Sequence, residues 1–192
     1  MKFIHLADLH LGMRVSEYGM IGEQRHILGE ILRAAGEEKP DAVLIAGDVY
    51  DKSVPTAEAV ELFDWFLCGL AETGTEVFVV SGNHDSPERI AFASRLIDAS
   101  GVHLSPVYRG SAAPVELRDG FGPVYVYMLP FLRPASVRPF FPDEEIGSYT
   151  DALRLAVNAL GADPSARNVL VAHQFPEVSS LTSCNKSLWY IL

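Results

Sequence analysis

Six polar residues have the types and the spacing to do chemistry together. Asp8 and His10 stand one residue apart, Asp48 follows Gly47, Asn83 and His84 follow Gly82, and His173 follows Ala172. Carboxylate, imidazole and amide oxygen in one set suit Mn, Fe or Zn better than the all-oxygen shell preferred by Ca or Mg. Asp8-x-His10 can aim two donors at one ion from a short turn. Asp48 has two carboxylate oxygens able to bridge two ions, and Gly47 beside it allows close approach of the backbone. Two ions about 3.5 to 4 Å apart can polarise a phosphoryl oxygen and activate water in line with a leaving group. The chemistry indicated is phosphoester hydrolysis.

The elements that must position these residues are legible in the apolar pattern. Short runs at Lys2 to Ala7, Ala42 to Ala46, Glu76 to Val80 and Asn168 to Ala172 read as strands. The middle two are continuous and Val-rich, as strands covered on both faces should be. Amphipathic stretches between the runs read as helices over Ile21 to Glu38, stopping before Pro40, and over Ala57 to Glu72, with Thr56 as N-cap and Gly74 just past the end. Ser86-Pro87 opens a further helix through Ile97, and Thr150 to Leu160 is a helix closed by Gly161. Val115 to Leu117 and Val124 to Leu129 form a strand pair around Asp119-Gly120, and Pro130 to Pro142, with four prolines, is a loop. The fold class is therefore α/β, a β-sandwich flanked by helices. All six polar residues fall just after strand carboxyl ends, where open α/β sheets bind their ligands.

Composition narrows the classes further. The chain has 192 residues, 48% hydrophobic and 21% charged, enough for one soluble domain with a large core and too apolar for disorder. With 15 Lys+Arg against 25 Asp+Glu the net charge is -10, which excludes nucleic-acid binding by bulk positive charge. It is compatible with bound cations that meet a phosphate instead. Met1 to Ala7 is too short for a signal-peptide core or a membrane span, so a cytoplasmic protein without membrane association is expected. Two cysteines, Cys68 and Cys184, make neither a disulfide framework nor a thiolate site. The tail from Glu177 to Leu192 differs in kind: Ser/Thr-rich, then the apolar string Leu188 to Leu192, with no punctuation for another strand-helix unit. The expected organisation is a partial catalytic domain over 1–176 and an atypical tail over 177–192.

Plainer readings exist for single residues. Asp8, Asp48 and Asn83 each sit where a turn-former would do, and His84 or His173 could be structural histidines. Asp51 and Asp85 are expected to orient ligands or cap turns rather than touch metal. His5, His26 and His103 carry no functional expectation, and Cys68, Phe63, Trp65 and Phe66 read as core and helix-face residues.

Asp8-Leu-His10, Gly47-Asp48-Val-Tyr-Asp51, Gly82-Asn83-His84-Asp85 and Ala172-His173-Gln174 resemble the successive motifs of the calcineurin-like metallophosphoesterases. The stretches Gly47 to Ala59, Gly82 to Arg89 and Leu129 to Pro134 are similar to the SbcD-type nuclease subunits within that superfamily. The protein-phosphatase branch would show Arg-Gly soon after the second Asp, and here the pair is Lys52-Ser53. The resemblance covers roughly Met1 to Pro176 and implies a metallophosphoesterase-type sandwich. It implies two ions, by family manganese, with Asp8 and His10 on one, Asn83 and His173 on the other, and Asp48 bridging. It also implies that His84 is the non-ligand catalytic histidine, acting at the scissile phosphate and the leaving oxygen. The implied activity is 3'-5' exonuclease and endonuclease cleavage of DNA, at double-stranded ends and hairpins, in repair and recombination. The implied partners are an SMC-like ATPase subunit, SbcC, and a second copy of the chain. The family pattern continues to a Gly-His-x-His pair, yet no Gly follows Gly161 and no His follows His173. A C-terminally truncated form is therefore expected, each ion one protein ligand short. A phosphatase or small phosphodiesterase of the same superfamily, or a non-catalytic fragment, stay open as alternatives.

Overall fold

Val43 and Ile45 leave their strand on one side and Ala42, Leu44 and Ala46 on the other, and all five are fully buried, so this strand must be covered on both faces. A four-layer arrangement satisfies that demand. The computed structural model describes residues 1–175 with their side chains and residues 188–191 as strand backbone. Its first sheet is wholly parallel, in the order β1 (Phe3–Leu6), β4 (Ala42–Ala46), β5 (Glu76–Val80), β6 (Val102–Leu104). Between its strands run α1 (Ile21–Glu38), α2 (Ala57–Glu72) and the short helices α3 (Pro87–Ile90) and α4 (Ser94–Ile97). The second sheet has the order β10 (Leu188–Ile191), β9 (Arg167–Ala172), β8 (Gly122–Leu129), β7 (Val115–Asp119), and is antiparallel only between β7 and β8. Helices α5 (Pro134–Val137) and α6 (Tyr149–Asn158) accompany it, and β2 (Arg14–Val15) with β3 (Tyr18–Gly19) forms a small hairpin.

Three cores follow from the alternation. Val43, Ile45, Val77 and Val79 meet Leu28 of α1 and Leu62, Phe66 and Leu70 of α2. Leu44, Phe78 and Val80 meet Val126, Met128 and Val171 across the gap between the sheets. Tyr127, Leu129, Leu170 and Ala172 face α5 and α6. Fully burying one such side chain is worth about 1.5–3 kcal/mol. Asp119 closes the far end of the sandwich, where it accepts from the N-terminal amine at 3.0 Å and from both Arg167 guanidinium nitrogens at 3.0 and 2.8 Å. Those donors hold its carboxyl well below the usual carboxylate range.

The predicted bounds of α1, α2, β4 and β5 coincide with those observed, and Thr56 caps α2 by accepting from the Ala59 N–H. Three differences stand out. The helix expected from Ser86 to Ile97 is broken at Ala93, whose φ of 59° is left-handed, giving α3 and α4 instead. The proline-rich segment 130–142 holds α5, because Pro134 at the first helical turn needs no N–H partner there. Leu188–Ile191, read only as an apolar string, is a strand parallel to β9; the rest of the tail lies outside the described residues. His103, given no role, bonds through both ring nitrogens, to Asp98 at 2.5 Å and Glu76 at 2.7 Å, and ties β6 to β5. No helix among the described residues is long and apolar enough to cross a membrane.

Candidate metal centre

Each predicted site residue leaves the carboxyl end of a strand: Asp8 and His10 after β1, Asp48 after β4, Asn83 and His84 after β5, His173 after β9. The first sheet supplies five of them and the second sheet one. Asp8, His10 and Asp48 have φ of 55°, 43° and 47°, a region that costs a non-glycine residue about 1–3 kcal/mol. The neighbouring backbone holds them there. Asp8 N–H donates to Gly47 O at 3.2 Å, His10 N–H to Asp48 O at 2.9 Å and Leu11 N–H to Val49 O at 2.9 Å, while Asp51 N–H returns to Leu11 O at 3.1 Å. The loops after β1 and β4 are thus laced together along their length.

Asp48 is the centre of the arrangement and only 3% exposed. Its Oδ1 accepts from the His84 backbone N–H at 2.9 Å. Its Oδ2 lies 3.7 Å from His10 Nε2 and 3.5 Å from His173 Nε2. His10 Nε2 is also 3.7 Å from Asp8 Oδ1, and His173 Nε2 is 3.1 Å from Asn83 Oδ1. Candidate donor atoms of His10, Asp48 and His84 fall within 4.8 Å of one another, and so do those of Asp8, Asp48 and His173. Two overlapping groups therefore share one carboxylate.

The hydrogen bonds behind these atoms decide what the groups can accept. His173 Nδ1 donates to the Ala46 carbonyl at 2.9 Å, which turns Nε2 toward Asn83 and Asp48. His84 Nδ1 donates likewise to Asp51 O at 2.9 Å, which leaves its Nε2 free and raises the ring's pKa above the ordinary histidine value. His10 Nδ1 is buried and has no partner among the described residues. Acceptor atoms that converge this closely need a proton or a metal cation between them, and the mixed carboxylate, imidazole and amide set suits a divalent metal. The residues present fit one or two divalent ions.

Residues 1–165 match the calcineurin-like phosphoesterase family, most of the chain. The chain belongs to that family. It is similar to the SbcD subunit of the nuclease SbcCD from Staphylococcus epidermidis, 30% identical over 176 residues that cover 90% of this chain and 46% of that protein. The protein of the same name in Staphylococcus saprophyticus subsp. saprophyticus is 32% identical, with the same coverage. The chain spans about half the length of these curated relatives.

Within this phosphoesterase fold, three supporting residues hold the rim. Asp85 accepts from the N–H groups of Val49, Tyr50 and Gly82 at 3.0, 2.9 and 2.8 Å, so it joins the loops after β4 and β5 as an orienting residue, as anticipated. Burial pushes its pKa up, against the three N–H bonds that favour the anion. Gln174 accepts from Leu132 N–H at 3.3 Å and donates to Pro130 O at 2.9 Å, fixing the loop after β8 beside His173. Gln24, in the first turn of α1, was missed because nothing in an amphipathic helix singles out one glutamine. Its amide donates to Leu9 O at 3.2 Å and His10 O at 2.8 Å and accepts from Gly12 N–H at 3.0 Å. Gln24→Met fills the same space without those bonds. It is expected to weaken Mn2+ binding about 10- to 100-fold by calorimetry with an unchanged circular-dichroism spectrum; wild-type affinity in that variant would make the clamp irrelevant to the site.

Proposed function

We propose that this chain carries the nuclease portion of an SbcD-type subunit, a metal-dependent phosphodiesterase that cuts DNA. The observation that supports it most is the set of close approaches around Asp48, His10 Nε2 to Asp8 and Asp48 at 3.7 Å and His173 Nε2 to Asn83 and Asp48 at 3.1 and 3.5 Å, at the carboxyl rim of a sandwich of this family. In this reading Asp8 and His10 hold one ion, Asn83 and His173 the other, and Asp48 both. Manganese is the proposed metal. When bound, the ions supply Lewis acidity toward the phosphoryl oxygen and a nucleophile from water at neutral pH. The protein's own part is to keep the His173 Nε2 lone pair facing inward through the Ala46 carbonyl, and to hold His84 Nε2 at the rim with a proton for the leaving oxygen. The names of the relatives support nuclease action within a complex of more than one subunit. The proposed substrate is DNA, cut by 3'-5' exonuclease and endonuclease action in repair and recombination, with an SbcC-type ATPase as proposed partner and a cytoplasmic setting.

The test is hydrolysis of linear duplex and hairpin DNA with Mn2+. Chelator should abolish it, and His84→Ala should lower the rate about 10²- to 10⁴-fold while both ions still bind. Robust turnover of phosphomonoesters with no DNA cleavage would assign the site to a phosphatase instead, and loss of one ion in the His84 variant would make that residue a ligand. A second copy of the chain is the remaining proposed partner. Val60 and Phe92 line one cavity of about 620 Å³ with Pro55, and both are exposed, as is neighbouring Val54. Phe92→Glu should convert a dimer to a monomer in light scattering; a wild-type chain that is monomeric at high concentration removes this part of the reading.

A further inference from the structure

Phe131, Tyr149 and Phe175 come from three separate loops or helix ends and gather against His173. Phe175 lies 5.5 Å from Phe131, 6.1 Å from Tyr149 and 6.2 Å from His173, centroid to centroid, and meets all three rings at steep angles. Phe131 lies 5.8 Å from Tyr149 and 6.5 Å from His173. The cluster is open to solvent: Phe175 is 57% and Tyr149 39% exposed. Three aromatics held together at the surface forgo apolar burial, and a clustered exposed patch marks a binding site far more often than a scattered residue does. Phe131 and Phe175 also meet the His173 ring, whose Nε2 lies 3.5 Å from Asp48. Phe131 is held there by its N–H bond to Ser81 O at 2.8 Å, which crosses from the second sheet to the first.

We propose that Phe131, Tyr149 and Phe175 form a stacking platform for an unpaired nucleobase next to the phosphate bound at the Asp48 centre. This rests on the phosphodiesterase reading above and adds how the strand is gripped. A chain of net charge -10 cannot hold a strand by bulk charge, so beyond the phosphate met by bound cations the grip falls to contacts that work without charge. Base stacking on aromatic rings does so and tolerates any sequence, since every base has a π-face. A base joined through its sugar to a phosphate beside His173 reaches the neighbouring rings. The platform therefore favours frayed or single-stranded ends over paired ones.

Two pairs of probes separate this proposal from the reading beneath it. Fluorescein-labelled hexathymidylate and an abasic hexamer of the same backbone are compared by anisotropy, with and without Mn2+. Thymidine 5'-p-nitrophenyl phosphate and its abasic counterpart are compared in hydrolysis. The base is expected to tighten hexamer binding about tenfold and lower KM by a similar factor with kcat little changed. Phe175→Leu, at an exposed position, should erase the difference between each probe and its abasic counterpart, and Phe175→Trp should restore it. Metal-dependent hydrolysis of the abasic substrate with no advantage for the base overturns the platform and leaves the phosphodiesterase standing. Failure of both substrates with the anisotropy difference intact overturns the phosphodiesterase and leaves the platform. Equal anisotropy for both hexamers, or no binding of either, overturns the platform whatever the hydrolysis shows.

Discussion

Asp48→Asn should leave a folded protein that neither binds Mn2+ tightly nor hydrolyses phosphodiesters. The substitution keeps the shape of the side chain, and the amide oxygen can still accept from the His84 N–H that now meets Oδ1. The amide nitrogen then takes the place of Oδ2 and donates toward His10 and His173, whose Nε2 atoms lie 3.7 and 3.5 Å away. A cluster rich in acceptors gains a donor and loses a buried charge, so thermal stability of the metal-free protein should hold or rise. Cation binding fails for the same reason. In the proposed reading both ions would lose a charged ligand, and since an outer partner alone is worth roughly 10- to 100-fold, activity should fall on the order of 10³-fold or more. Calorimetry with Mn2+ and hydrolysis of thymidine 5'-p-nitrophenyl phosphate measure the two effects. Uptake of two ions at wild-type affinity by the Asp48→Asn variant would remove Asp48 from the centre of the site.

The second large effect needs no polar group at all. A Cβ at Gly82 would sit 2.0 Å from Asp48 Oδ1 and 2.2 Å from the Asp48 backbone nitrogen, closer than real contacts allow. Neither partner can yield cheaply, because Gly82 N–H is anchored to Asp85 and Asp48 is laced to the loop after β1. Gly82→Ala should therefore cost about 1–3 kcal/mol or more, as overpacking does, and lower the melting temperature by about 2–12 °C. Displacing Asp48 by even about 1 Å should cost on the order of 10²-fold in hydrolysis. Gly36→Ala is the control: it lies in α1 with nothing within 4 Å of the added carbon, and should be neutral or stabilising by about 0.5–1 kcal/mol. If both variants melt alike, the close approach of the loops after β4 and β5 is not a constraint.

Much of this architecture could be read before any coordinates, for identifiable reasons. Residues 42–46 and 76–80 are uninterrupted apolar runs, which only strands covered on both faces need, and Pro40, Thr56 and Gly74 punctuate the helices beside them. The polar residues that follow each strand end pointed to the rim, and the structure brings Asp8, His10, Asp48, Asn83, His84 and His173 together there. What escaped depends on distant partners. Ala93 takes a left-handed φ inside a helical pattern, and the strand at Leu188–Ile191 exists only because β9 offers it an edge. Gln24 is one polar residue among several on α1 until its three bonds to the 9–12 loop are seen. Phe131, Tyr149 and Phe175 share no spacing, so the fold alone makes them neighbours.

Among the described residues His173 is the single member of the site contributed by the second sheet, and this makes the centre a caliper. Its jaws are the two sheets, and their opening is set by the side chains wedged between them, Leu44, Phe78 and Val80 on one side and Val126, Met128 and Val171 on the other. A bulkier or slimmer residue there touches no polar atom of the rim, yet it changes the span from His173 to Asp48, so core thickness becomes a remote adjustment of the candidate metal centre.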